Sequence, residues 1–214
     1  MTTPLVTRRR ALTTLGAGAG ALAVLPWLSD EGVAAFALIQ RTKAAPRLKV
    51  LSPSQYATLE ALVEALIPAD ERSPGAKEAR VADYVDLLLS EGDATPRQQW
   101  LEGLAALDAE ARARFGAPFV GLAAPQVDVL LGEVSRNERS ADTAPNLPGT
   151  PRSKTPLETF FGTAKQATIY GYYTSEIGIH KELRYQGNAI LAEFVGCATV
   201  DGKDCPHCGQ KAEA

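Results

Sequence analysis

Near the C-terminus, Cys205-Pro206-His207-Cys208 brings two thiols and an imidazole into one short stretch, and Cys197 stands a little upstream. Such residues can do three kinds of chemistry. A thiol oxidoreductase would use the C-x-x-C pair, with its first sulfur acidified at the start of a helix that follows a strand; Gly209 and a polar tail follow here instead, a context that argues against it. A zinc site, structural or hydrolytic, could draw on Cys197, Cys205, His207 and Cys208, all ligands of acceptable type. A disulfide is the plainest outcome in an oxidising compartment, and three cysteines leave one over after any single bridge, which invites a bond to another chain. Haem attachment through C-x-x-C-H is excluded, because Gly209 stands where the histidine must be.

Elsewhere, catalytic signatures are scarce. There is no G-x-G-x-x-G after a strand, no G-x-x-x-x-G-K-[ST], no H-E-x-x-H and no G-x-S-x-G, and His180 and His207 are the only histidines. The net charge of −3 across 214 residues leaves no basic stripe, so neither nucleic acid nor an anionic membrane surface is an expected partner.

The other end of the chain carries an address. Thr7-Arg8-Arg9-Arg10-Ala11-Leu12 reads as a twin-arginine export signature, although Ala11 and Thr13 depart from its strongest form. An apolar stretch from Leu12 to Leu28 follows, broken by Gly16, Gly18 and Gly20 and closed by Pro26, and Ala35-Phe36-Ala37 offers a small-x-small cleavage site. An ordinary secretory signal competes with this reading; a membrane anchor fits poorly, because the stretch is short and rich in Gly and Thr. The twin-arginine route carries folded cargo, so its user holds a cofactor before export or travels bound to a partner that does. The expected organisation is a signal over residues 1–37, a linker over 38–50, a domain over 51–197 and a cysteine-bearing tail over 198–214, with a periplasmic destination.

The elements that must position any site read as helices. Ala and Leu are abundant and alternating β-branched runs are short, so the expected fold is all-α: one domain of about five helices with long loops. Ser52-Pro53-Ser54-Gln55, Thr95-Pro96-Arg97-Gln98 and Thr155-Pro156-Leu157-Glu158 each present a hydroxyl N-cap, a proline suited to the first turn and a Gln or Glu able to close a capping box. Apolar residues recur at helical spacing behind them: Tyr56, Leu59, Leu62, Val63, Leu66 and Ile67; Trp100, Leu104, Leu107, Ala111 and Phe115; Leu157, Phe160, Phe161, Ala164 and Thr168. Two more helices are expected around Val81-Tyr84-Val85-Leu88 and Val127-Leu130-Leu131-Val134. Between Asn137 and Thr155, Pro145, Pro148, Gly149 and Pro151 predict an exposed loop.

The most distinctive stretch runs from Gly171 to Asn188 and concentrates Tyr172, Tyr173 and Tyr185 with Gly171, Gly178 and Gly187 among charged residues. Tyrosines in such a setting serve equally well as core residues at a helix end, with Glu176 pairing to Lys181 or Arg184, or as amphipathic area at a protein interface.

Gly171-Tyr172-Tyr173-Thr174-Ser175-Glu176-Ile177-Gly178, Glu182-Leu183-Arg184-Tyr185, Gly187-Asn188 and Gly196-Cys197 form a pattern. With Leu66-Ile67-Pro68-Ala69-Asp70, Ser73-Pro74-Gly75-Ala76 and Val81-Ala82-Asp83-Tyr84, it resembles the small subunit, subunit 3, of gluconate 2-dehydrogenase and related periplasmic sugar dehydrogenases. The likeness extends from Thr7 to Cys197; the Cys-Pro-His-Cys tail departs from it. The resemblance implies a non-catalytic partner of a glucose-methanol-choline type flavoprotein that binds FAD and oxidises a sugar or other alcohol, with a cytochrome c subunit, carrying haem c, taking the electrons. It implies no cofactor in this chain. The flavoprotein, loaded with FAD in the cytoplasm, would borrow the Arg8-Arg9 signal and reach the twin-arginine translocase by binding this chain. Tyr172, Tyr173, Glu176, Tyr185 and Gly187 are then the expected contact residues or the residues that hold the contact segment. Cys197 is the thiol expected to bridge to the flavoprotein, a Cys197–Cys205 bond within the chain being the alternative. Two other classes stay open: a thiol or zinc enzyme at the tail, and a free-standing envelope binding protein.

Overall fold

The computed structural model describes residues 28–42, 45–136, 155–185 and Gly187. Arg8 and Arg9, the expected loop after Asn137, and Cys197, Cys205, His207 and Cys208 lie outside them. Among the described residues every regular element is helical: α1 (Asp30–Thr42), α2 (Pro53–Leu66), α3 (Val81–Glu91), α4 (Ala94–Phe115), a 3-10 turn (Phe119–Gly121), α5 (Ala124–Val134), α6 (Pro156–Tyr173) and a π-helical turn (Gly178–Glu182). None is long and apolar enough to cross a membrane. The chain divides into one unit reaching Arg184 and a second from Tyr185 to Ala214, of which Tyr185 and Gly187 are described; both are exposed.

The centre of the first unit is α3. Every residue from Val81 to Leu89 is buried, Asp83 and Asp86 included, so this helix is surrounded on all sides, with α1, α2, α4 and α6 packed around it. Two acids in such a helix must spend their charge on partners. The Asp86 carboxylate accepts the backbone N–H groups of Lys49, Val50 and Leu51 at 2.6, 3.0 and 2.9 Å. Asp83 accepts the Tyr56 hydroxyl at 2.9 Å and is gripped by Arg80 through Nε at 2.6 Å and Nη2 at 3.0 Å. That grip holds Arg80 in the left-handed region, at φ 61°, where it forms the N-cap of α3.

The expected caps of α2 and α6 form. Ser52 and Thr155 accept the N–H groups of Gln55 and Glu158, whose side chains return to the N-cap backbone. The third start differs: α4 begins behind Asp93, and Thr95-Pro96 lies inside its first turn rather than at its boundary. The first four N–H groups of a helix have no partner within it, so proline fits there as well. The short link from α3 sets the start, because the Arg97 guanidinium donates to the carbonyls of Leu89 and Gly92 at 3.0 and 3.1 Å.

The expected apolar stripes face inward. Leu59, Leu62, Val63, Trp100, Leu104, Leu107, Ala111, Phe160, Ala164 and Leu130 are all buried, and the Trp100 and Phe160 rings meet edge to face at 5.4 Å. Arg114 on α4 pairs with Glu133 on α5 and ties the outer helices. The stretch expected to hold a cleavage site and the start of a linker is instead a helix: α1 runs through Ala35-Phe36-Ala37 to Thr42 and sends Phe36 into the core. Of the residues expected in the linker, Lys49 and Val50 are pinned by Asp86.

Candidate functional site

The Gly171–Gly178 block is the end of α6 and the turn that reverses the chain behind it. Tyr172 is 2 % exposed. Its hydroxyl lies 2.7 Å from Ser73 Oγ and donates to the Pro74 carbonyl at 2.8 Å, so one phenol fastens the α2–α3 loop to the last turn of α6. Burial raises its pKa, while the bond to Ser73 pulls the other way. The loop it holds has an internal frame, since the Asp70 carboxylate accepts the N–H groups of Arg72 and Ser73, both at 2.8 Å.

Beyond Tyr172 the chain turns on a buried serine. Ser175 Oγ donates to the Tyr172 carbonyl at 2.6 Å and accepts the Gly178 N–H at 2.9 Å. Gly178 lies so close beneath the helix end that a Cβ there would sit 2.0 Å from the Tyr172 carbonyl oxygen. Leu183 N–H then bonds the Gly178 carbonyl at 2.9 Å and closes the π-helical turn. Gly171, Tyr172, Ser175 and Gly178 thus face inward and build the turn, whereas Tyr173, Thr174 and Glu176 face out.

Tyr173 is 39 % exposed and meets the Tyr172 ring edge to face at 5.3 Å. Between α1 and the turn that carries Thr174 and Glu176 opens a cleft of about 290 Å³, floored by Leu28, Phe36 and Tyr84 and rimmed by Gln40, Glu176 and His180. The cleft joins α1 to the turn, and the Glu176 N–H donates to Gln40 Oε1 at 2.7 Å across it. Tyr84 at its floor has a pKa pushed up to about 12, by burial first and then by Tyr170 and Glu91. An apolar floor under a mixed polar rim suits an inserted side chain of another protein.

A family model described as gluconate 2-dehydrogenase subunit 3 matches residues 53–189. The chain belongs to the gluconate 2-dehydrogenase subunit 3 family. No curated protein and no solved structure matches it.

The subunit 3 match takes in α2 through the π-helical turn and leaves α1 outside, so one wall of the cleft is not part of what the family model describes. The family's name is that of a subunit, which implies association with the other subunits of a dehydrogenase complex. Of the residues expected to make the contact or to hold the contact segment, Tyr172 lies in the core, which leaves it the second role. Tyr173, Glu176 and Tyr185 are exposed, as is Gly187, which adopts a φ of 98°. Gln40 and Arg41, which also line the cleft, were not singled out from the sequence, and His180 was noted there only as one of two histidines. A helix before the subunit 3 region was signalled by Ser29 ahead of Asp30-Glu31 and by Arg41 in the last turn, a capping and charge pattern overshadowed by the small-x-small triplet.

Proposed function

We propose that this subunit 3 protein is the non-catalytic small subunit of a glucose-methanol-choline type flavoprotein dehydrogenase, and that it carries the FAD-bearing subunit through the twin-arginine translocase on the signal containing Arg8 and Arg9. Electrons pass from FAD to a cytochrome c subunit, and the complex resides in the periplasm. The outward residues of the family block, Tyr173 and Glu176, with Tyr185 further on, receive the flavoprotein.

One observation carries this reading. Within the tyrosine-glycine block at the end of the matched region, Gly171, Tyr172, Ser175 and Gly178 build a turn, while Tyr173 and Glu176 are left exposed, Glu176 at the rim of an open cleft. The buried acids are consumed as well, Asp86 by backbone N–H groups and Asp83 by Tyr56 and Arg80. Cys197 supplies an intersubunit disulfide in the oxidising periplasm, which non-reducing electrophoresis of the complex would show as one band that separates into two on reduction.

The test is export of two chains on one signal. Replacing Arg8 and Arg9 with Lys should strand both this chain and the flavoprotein in the cytoplasm, the flavoprotein being followed by its flavin absorbance and dehydrogenase activity in each fraction. Flavoprotein that still reaches the periplasm while this chain is retained overturns the shared-signal reading.

A further inference from the structure

Helix α1 carries the Ala35-Phe36-Ala37 triplet, yet it is built into the fold at three points. At its start, Ser29 donates through N–H and Oγ to the Glu91 carboxylate at 2.8 and 2.7 Å, and Ser29 Oγ accepts the Gly32 N–H at 3.1 Å. Gly32 is buried there, and a Cβ on it would lie 2.3 Å from Glu91 Oε1, so the carboxylate rests directly against the positive end of the helix. At its middle, Phe36 is 4 % exposed and meets Tyr84 edge to face at 5.3 Å. At its end, Gln40 holds the Glu176 N–H.

We propose that α1 is a permanent part of the mature subunit: the bond after Ala37 is not a processing site in the folded protein, and any leader removed on export is cut upstream of Ser29. A peptidase must draw its substrate into an extended strand along its own binding groove. Around Ala37 the backbone is helical, Ala35 and Ala37 are half-buried, and Phe36 between them fills the core, so cleavage requires α1 to unwind and leave. The proposal rests on the export reading only for there being a leader to remove. A chain exported in the folded state meets the peptidase with α1 already docked. Retention has a consequence for the partner face as well, because losing α1 would strip the cleft of one wall and the Glu176 N–H of its acceptor.

The chain recovered from the periplasm with its complex, characterised by intact mass and N-terminal sequencing, should begin at or before Ser29; a first residue from Asp30 to Leu38 overturns the proposal. Should no chain reach the periplasm, the export reading fails by itself, and a second measurement decides the fate of α1. Purified full-length protein is digested with elastase, which cuts after small residues, alongside Glu91→Ala, which frees the start of α1 without altering its sequence. Cleavage after Ala35 and Ala37 should be at least about tenfold faster in the variant, because it tracks the population of the opened helix. Equal rates in the two proteins overturn the proposal.

Discussion

Replacing Tyr172 with Phe keeps the ring and its packing and removes one oxygen. That oxygen serves both Ser73 Oγ and the Pro74 carbonyl, and Ser73 is itself only 5 % exposed, so water cannot readily take its place. Loss of a buried hydrogen bond that leaves its partner unsatisfied costs about 1–3 kcal/mol. At about 2–4 °C per kcal/mol for a domain of this size, the melting temperature of the isolated subunit should fall by about 2–12 °C. Tyr173→Ala should behave oppositely. Its ring forfeits an edge contact worth about 0.5–1.5 kcal/mol, so melting shifts by only a few degrees. Truncating an aromatic anchor at an interface costs about 2 kcal/mol or more, roughly a 30-fold loss of affinity for the flavoprotein. Thermal melts of the isolated chain and titration against the flavoprotein separate the two effects. An unchanged melting temperature for Tyr172→Phe would refute the bridging role of its hydroxyl. A Tyr173→Ala chain that binds normally would place the partner surface elsewhere.

Asp86→Asn should destabilise the chain by about 2–4 kcal/mol in urea titration, since an amide keeps one acceptor oxygen and turns an NH₂ group towards N–H donors that the carboxylate now satisfies; a change below about 0.5 kcal/mol would show that residues 49–51 do not depend on it. Gly178→Ala should cost about 2 kcal/mol or more, because the new methyl meets backbone rather than a yielding side chain; a neutral result would mean that the turn relaxes freely. Alkaline pH should unfold the protein through its tyrosines. An unfolded tyrosine releases its proton near 10.0, whereas Tyr84 holds it to about 12 and Tyr56 and Tyr172 are also raised, so their contribution is intact below pH 10 and is lost as pH climbs from 10 towards 12. Urea midpoints should be level up to about pH 9.5 and fall beyond it, by up to about 1.4 kcal/mol per unit for each such tyrosine; phenolate absorbance appearing near pH 10 with no loss of stability would contradict this.

Helices were legible because their signals are local. Ser52 and Thr155 announce their boundaries within four residues, and the apolar stripes behind them need only a 3.6-residue period. Asp86 was not legible, because its partners are backbone groups more than thirty positions away with no side-chain signature. Helix α1 was hidden by a conflict between two local codes: Ala35-Phe36-Ala37 satisfies the small-residue rule for processing and, equally, a helix whose one large side chain packs inward. The placement of Phe36 against Tyr84, which reveals the helix, is a contact between distant positions that neither local code contains.

Half of the division of the tyrosine pair was legible in the helical period. Phe160, Ala164, Thr168 and Tyr172 are spaced by four along α6, and all are buried. Residues four apart lie on one face of a helix, while neighbours are turned by about 100°. Neighbours can still share the core, as Phe160 with Phe161 and Ala167 with Thr168 do, so the period places Tyr172 inside but does not by itself place Tyr173 outside; Tyr173 is the last residue of α6, where the chain turns away. The pair joins two tasks at one place: Tyr172 anchors the turn to the α2–α3 loop, and its rigidly held ring is the surface on which Tyr173 leans. A side chain presented to a partner from a fixed base loses little conformational freedom on binding, which is why an anchor buried next to a contact residue is a sound way to build an interface.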